Sequence, residues 1–257
     1  MKRTEIQSPG FELPKELQKF LSGSKCYDSS CSKEAKVIYF DKGPGYFLKK
    51  APRGELRLEA ELGAYFAKRK LAPSVISYIS GEYDLLLTER LRGEDATHED
   101  YLKEPKRLAK KMGEILRELH ESDFSDCPVQ DRLAAYYETL ERNYIQGAFD
   151  LSFGKFKNAD EAYKAALAGR ELLSQDTLIH GDFCLPNFLF DNWRFTGFID
   201  LAAAGVGDRH IDLFWGAFTL NYNLGTDKYT EIFFDSYGRE RINPDAILTV
   251  SACEVFG

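Results

Sequence analysis

Apolar positions change their spacing along the chain, and those changes divide it. Between Lys25 and Leu48 they fall in short strand-like runs. Lys36-Val37-Ile38-Tyr39-Phe40 leads through a Lys42-Gly43-Pro44-Gly45 turn into Tyr46-Phe47-Leu48-Lys49-Lys50, which predicts a hairpin. From Glu55 to Lys70 the period lengthens: Leu58, Leu62, Tyr65 and Phe66 lie at helical spacing, with Glu55 and Glu59 on a neighbouring face. Two further strands follow, Ser74–Ile79 and Tyr83–Leu87, and a short proline-opened helix, Pro14–Leu21, precedes the hairpin.

The polar stretch Thr88-Glu89-Arg90-Leu91-Arg92-Gly93 separates this strand-rich region from a helix-rich one. Beyond it, Leu108, Met112, Ile115, Leu116 and Leu119 form the stripe of an amphipathic helix over Pro105–Glu121. Helices are also predicted over 131–144, 158–173, 208–221 and 226–237, with a last one opened by Asn243-Pro244-Asp245. A strand at Thr177–Ile179 and a hairpin of Phe188–Phe190 with Phe195–Ile199 interrupt them. The pattern predicts a mixed α/β (α+β) chain of two lobes: residues 1–88 with an antiparallel sheet plus a helix, a hinge at 89–93, and a mainly helical part at 94–257.

Composition narrows the function. The 257 residues are 44% hydrophobic and 29% charged, enough apolar material for a sizeable core. No apolar run approaches the roughly 20 residues that span a bilayer, and no apolar segment follows the basic Lys2-Arg3 start, so neither a membrane anchor nor a secretory leader is expected. The net charge of −7 disfavours a generic nucleic-acid binder and suits a cationic ligand. Five cysteines without a C-x-x-C pair read as free thiols of a cytoplasmic protein, and four dispersed histidines offer no structural metal site.

The chemistry concentrates in His180–Asp200, HGDFCLPNFLFDNWRFTGFID. Asp182 stands five residues before Asn187, and Asp200 closes the strand after the turn. One carboxylate to take a hydroxyl proton, with an amide and a second carboxylate as hard oxygen donors for Mg²⁺, is the residue set of phosphoryl transfer. Protein kinases use the related H-R-D-x-x-x-x-N spacing. Here Gly181 replaces the arginine and Leu201 follows Asp200, which points to small-molecule kinases. A second group comprises a strand lysine and helical Glu59. Alternation sends Lys49 and Lys50 to opposite faces without choosing between them. The loop Ser29-Ser30-Cys31-Ser32 joins two strands, where backbone N–H groups can cover phosphates.

Taken together, HGD-x₄-N, GFIDL at 197–201, HESDFSDCPVQDRL at 120–133 and YTEIFFDSYG at 229–238 resemble the aminoglycoside 3′-phosphotransferases (kanamycin kinase type) of the protein-kinase-like fold, from about Lys36 onward. The resemblance implies Asp182 as base, Asn187 and Asp200 on Mg²⁺, and Lys49 with partner Glu59 on the phosphates of ATP or GTP. It also implies Phe47 against the purine, backbone contacts from Leu87, Thr88 and Arg90, and Ser32 in the phosphate loop. The substrate is then an aminoglycoside, held by Glu254, Phe256 and Asp150. Cys253 stands where an acid is expected, and Leu201–Gly205 lacks an expected arginine. Two other readings share the motifs: a kinase of this fold acting on a non-antibiotic alcohol, and a nucleotide-binding pseudokinase.

Overall fold

The computed structural model describes residues 3–31 and 35–257. The chain folds as two compact units, Met1–His98 with Pro186–Ala202, and Glu99–Leu185 with Ala203–Gly257. The chain therefore leaves the first unit after His98, beyond the expected 89–93 hinge, and later re-enters it with one hairpin.

In chain order the first unit contains β1 (Thr4–Ile6), α1 (Lys15–Leu21), β2 (Lys25–Asp28), β3 (Lys36–Asp41), β4 (Tyr46–Pro52), α2 (Arg57–Lys68), β5 (Val75–Ser80), β6 (Tyr83–Glu89) and β7 (Glu94–Asp95). The second unit supplies α3 (Glu99–Leu102), α4 (Pro105–His120), α5 (Arg132–Gln146), α6 (Ala159–Ala168) and β8 (Thr177–Ile179). The chain then passes back through β9 (Phe188–Asp191) and β10 (Arg194–Phe198) of the first unit. It ends in the second with β11 (Gly205–Gly207), α7 (Arg209–Leu224), α8 (Thr230–Tyr237) and α9 (Pro244–Glu254).

Six antiparallel strands of the first unit run in the order β1-β2-β3-β4-β6-β5. Period-two alternation divides their side chains between two cores. Leu48, Leu85 and Leu87 pack with Leu17 and Leu21 of α1 on one face. Ala51 and Leu86 pack with Leu56 and Ala60 at the start of α2 on the other. The same alternation resolves the two lysines. Lys50 lies over the rings of Phe11 and Tyr83, at 4.5 and 3.7 Å from their centroids, while Lys49 faces the α2 side.

Asp84 fixes how α2 begins. Its carboxylate, 0% exposed, accepts from Gly54 N–H (2.9 Å), Leu56 N–H (3.1 Å) and Tyr78 O–H (2.9 Å). Two of these donors belong to the turn entering α2, so the acid does the work of a cap across the sheet. The β9–β10 hairpin joins the unit through β7, and Gly93 makes that possible. Its φ is +93°, and a Cβ there would overlap the Phe190 carbonyl oxygen.

In the second unit all five stripe residues of α4 are buried, as the periodicity predicts. A separate core gathers Tyr137, Leu140, Ala162, Ile211, Val250 and Phe256 from α5, α6, α7 and the C-terminal segment. Helix α6 stops at Ala168, short of the expected 173. Gly169 follows, where a Cβ would overlap Thr249, and a 3₁₀ turn continues to Leu172. Helix α8 begins at Thr230, four residues later than expected. Strand β1 escaped the sequence reading because it is three residues long and mostly exposed. No helix among the described residues is long and apolar enough to cross a membrane.

Asp84→Ala leaves two backbone donors and a phenol without their acceptor. We expect a loss of about 3 kcal/mol in unfolding free energy, measured by urea denaturation. A change within 0.5 kcal/mol would remove Asp84 as the anchor of α2.

Candidate active site

In the first unit a cavity of about 280 Å³ is lined by Phe47 and Lys49 from β4, Glu59 from α2, Thr88 and Arg90 at the end of β6, and Asn187 and Asp200 from the returning hairpin. The Lys49 ammonium is held between two carboxylates, Glu59 Oε2 at 2.7 Å and Asp200 Oδ1 at 2.9 Å. Burial alone would lower the Lys49 pKa, but the charges of Glu59 and Asp200 and hydrogen bonds to both raise it, so the amine stays protonated. Glu59 is raised as well, first by burial and further by the charge of Asp200, against the opposing pull of Lys49.

Asn187 and Asp200 sit at the base of the β9–β10 hairpin, where Ile199 N–H donates to the Asn187 carbonyl at 2.8 Å. Asp200 has φ +60°, a left-handed conformation that costs an L-residue on the order of 1–3 kcal/mol and is held here by the Lys49 contact and the following 3₁₀ turn. The two donors fit Mg²⁺. Both are hard oxygen ligands, and two carboxylates set against one ammonium leave negative charge for a cation.

Around the expected purine position, Phe47 lies 5.2 Å from Tyr39, ring to ring. The hinge differs in detail from the expectation. Glu89 N–H donates to the Ser74 carbonyl and Arg90 N–H to that of Gly45, so neither amide is left for a ligand. The Leu87 side chain faces the opposite core and does not line the cavity, whereas Thr88 and Arg90 do. Ser32 lies outside the described residues; Ser29 and Cys31 of the same loop line the cavity.

Asp182 belongs to the second unit, where its loop is tied down by a residue the sequence reading missed. Asp212, 0% exposed on α7, accepts His180 N–H on Oδ2 and Gly181 N–H on Oδ1, both at 2.7 Å. His120 Nε2 also reaches Oδ2 at 3.0 Å, and Tyr237 O–H meets His120 Nδ1 at 2.9 Å. Burial lowers the His120 pKa, so a neutral ring donates from Nε2 and accepts at Nδ1. Asp182 N–H in turn donates to His180 Nδ1 at 3.2 Å. Gly181 has φ +83°, and a Cβ there would overlap the Ala203 carbonyl. That carbonyl accepts from Arg132 Nε at 2.8 Å, so a guanidinium from α5 meets the segment whose expected arginine is absent. The one signal for Asp212 was an acid within the apolar run Ile211-Asp212-Leu213-Phe214.

The three expected substrate residues part company. Glu254 is 5% exposed, accepts from Tyr136 O–H at 2.7 Å and is hydrogen-bonded by Trp215. Burial pushes its carboxyl up to about 7, opposed by those two bonds and reinforced by the charge of Asp182. Phe256 is 1% exposed and packs edge-on against Tyr144 and Tyr163, so it is a core residue and presents no face to a ligand. Asp150 is exposed, caps a 3₁₀ turn through Ser152 N–H (2.8 Å), and has its own N–H on the Val255 carbonyl (2.8 Å). Cys253 is buried and its thiol is pushed up to about 12, first by burial, so it cannot supply the charge of the acid it replaces.

Comparison with known proteins adds an independent line. A model described as "Phosphotransferase enzyme family" matches residues 33–247. A Lactococcus lactis protein named "Probable aminoglycoside 3'-phosphotransferase" is 48% identical over 96% of this chain and 95% of its own. The aminoglycoside 3'-phosphotransferase of Niallia circulans is 29% identical over 91% of this chain and 93% of its own. Among solved structures, an aminoglycoside-3'-phosphotransferase of type VIII aligns with a TM-score of 0.73 at 24% identity, covering 94% of this chain and 96% of that one. An aminoglycoside phosphotransferase from Streptomyces rimosus, solved with ADP and streptomycin, aligns at 0.67 and 20% identity over 86% and 91%. These structural likenesses establish the shared fold.

The raised Glu254 pKa carries a definite sign. Between about 4.5 and 7 the folded state keeps a proton that the unfolded chain has released, so this acid's contribution to stability is full below about 4.5 and declines as pH rises to about 7. Glu254→Gln is expected to flatten that component. Parallel thermal melts of both proteins from pH 4.5 to 8 check it, and identical profiles would return Glu254 to an ordinary carboxyl.

Proposed function

The chain belongs to the phosphotransferase enzyme family, and from that premise we propose that it transfers the γ-phosphoryl group of ATP to the 3′-hydroxyl of an aminoglycoside antibiotic, abolishing the drug's action. The observation that carries the reading is the Lys49 ammonium shared at 2.7 and 2.9 Å between Glu59 and Asp200 inside the cavity. A cluster of this kind exchanges one carboxylate for nucleotide phosphate while Glu59 keeps the lysine aimed. The ADP held by the Streptomyces rimosus relative supports a nucleotide as donor, and that structure's streptomycin supports a cationic amino sugar as acceptor. Free thiols and an ATP requirement suit the cytoplasm.

Each residue then has a task. Asp182 accepts the proton of the acceptor hydroxyl as its oxygen attacks the γ-phosphorus. Asp212, through His180 and Gly181, holds the Asp182 loop so that the carboxylate need not reorganise during the reaction. Lys49 neutralises phosphate charge, and Asn187 and Asp200 supply oxygen ligands to Mg²⁺. When bound, Mg²⁺ offsets the charge of the phosphate oxygens and orients them for in-line transfer. Glu254, ionised above about pH 7, places negative charge where a substrate ammonium gains from it.

The test is a coupled ADP-release assay with kanamycin, neomycin and a 3′-deoxy aminoglycoside such as tobramycin. Turnover of the first two alone is expected; equal turnover of tobramycin would move the acceptor to another hydroxyl. Asp182→Asn should lower kcat by at least about 100-fold with ADP affinity kept within about twofold. Wild-type turnover in that variant would end its assignment as base. Asp200→Ala should raise the Mg²⁺ concentration needed for half-maximal rate by tenfold or more, and an unchanged metal titration would remove it as a ligand.

A further inference from the structure

Arg3 stands immediately before β1, at the edge of the six-stranded sheet, and its side chain lines the cavity that holds Lys49 and Asp200. Its guanidinium carbon lies 4.2 Å from the centroid of Tyr39 and 5.5 Å from that of Phe47. These rings are cross-strand partners on β3 and β4. The Arg3 Nε is buried and makes no hydrogen bond. A buried guanidinium N–H without an acceptor is costly, and because Arg3 lines the cavity, a ligand that draws the side chain toward it relieves that cost.

The cavity has two chemically different ends. Lys49, Glu59 and Asp200 make one of them ionic. Phe47 precedes Lys49 by two residues on the same face of β4, roughly 6.6 Å along the strand, and its cross-strand neighbours Tyr39 and Thr88, with Val75 opposite Thr88, make the other end aromatic and uncharged. A nucleotide whose phosphates reach the ammonium lays its flat nucleoside half at the aromatic end. Arg3 is at that end. A guanidinium there can stack on a purine face and donate to a ring or ribose acceptor.

We propose that Arg3 is a nucleotide-specificity residue that contacts the nucleoside half of the bound nucleotide and not its phosphates. The proposal rests on the nucleotide reading above and adds a cation that the family motifs do not include. A purely structural Arg3, pinning β1 to Tyr39 by cation–π contact, would affect stability and leave ligand affinity unmoved.

The experiment is calorimetric titration of the full-length protein, in Mg²⁺ and without acceptor, with ADP and separately with inorganic tripolyphosphate. Wild type, Arg3→Ala and Arg3→Lys are compared. The expected result for Arg3→Ala is a five- to tenfold weaker ADP Kd, an unchanged tripolyphosphate Kd, and an unchanged KM for the aminoglycoside. Arg3→Lys, which keeps the charge but loses the planar fork, should bind ADP less tightly than wild type. An ADP Kd that does not move in Arg3→Ala, or a tripolyphosphate Kd that weakens by the same factor, overturns the proposal. A wild-type protein that binds no ADP would instead sink the nucleotide reading, and one that binds ADP but phosphorylates no aminoglycoside would sink only the substrate assignment.

Discussion

A carboxylate with no solvent exposure survives inside a protein only if its neighbours replace the water it has lost. Asp212 meets that condition with two backbone amides and an imidazole, and the conformation of the His180–Asp182 loop follows from it. Removing one partner of such a set costs about 3–5 kcal/mol, far more than a surface ion pair contributes. The loop amides are therefore fixed more firmly than their short sequence would ensure. His120 extends the constraint from α4, and Tyr237 from α8. The direction in which Asp182 leaves the chain is set by the packing of three helices.

The first unit solves a different electrostatic problem. One ammonium serves two carboxylates, so the resting cluster retains negative charge; the two acids raise the Lys49 pKa against burial, while burial first and then Asp200 raise that of Glu59. That imbalance suits a site whose ligand brings both a divalent cation and anionic oxygens. The proposed function requires Glu59 to stay in place while Asp200 exchanges partners. Asp84 supports this by holding the turn into α2 from the same face of the sheet as Ala51 and Leu86. A buried acid thus holds the backbone beside the candidate site residues in each unit, reached by N–H groups in both.

Local patterns were legible because they depend on near neighbours. The stripe of α4, the alternation of β3 and β4, and the Asp182, Asn187 and Asp200 spacing could all be read directly. Choosing between Lys49 and Lys50 could not, since alternation defines two faces without saying which faces α1. Asp84, Asp212 and Arg3 act at long range, on residues 28 to 32 positions away or on rings of other strands, and no spacing rule reaches them. Phe256 shows the reverse error. The family resemblance implies a substrate contact there, but Tyr144 and Tyr163 close over the ring and Asn143 Nδ2 donates to its carbonyl at 2.8 Å.

The distribution of thiols has a practical consequence. Cys26, Cys127 and Cys253 are buried, and burial first, then the charge of Asp182, pushes the half-buried Cys184 far above its ordinary range. Cys31 is exposed and borders the cavity. Among the described residues, a maleimide dye under mild conditions would therefore attach at one place, on the rim of the cavity that Lys49 and Asp200 also line. The natural sequence already carries a built-in position for an optical reporter of ligand occupancy, with no cysteine to add or remove.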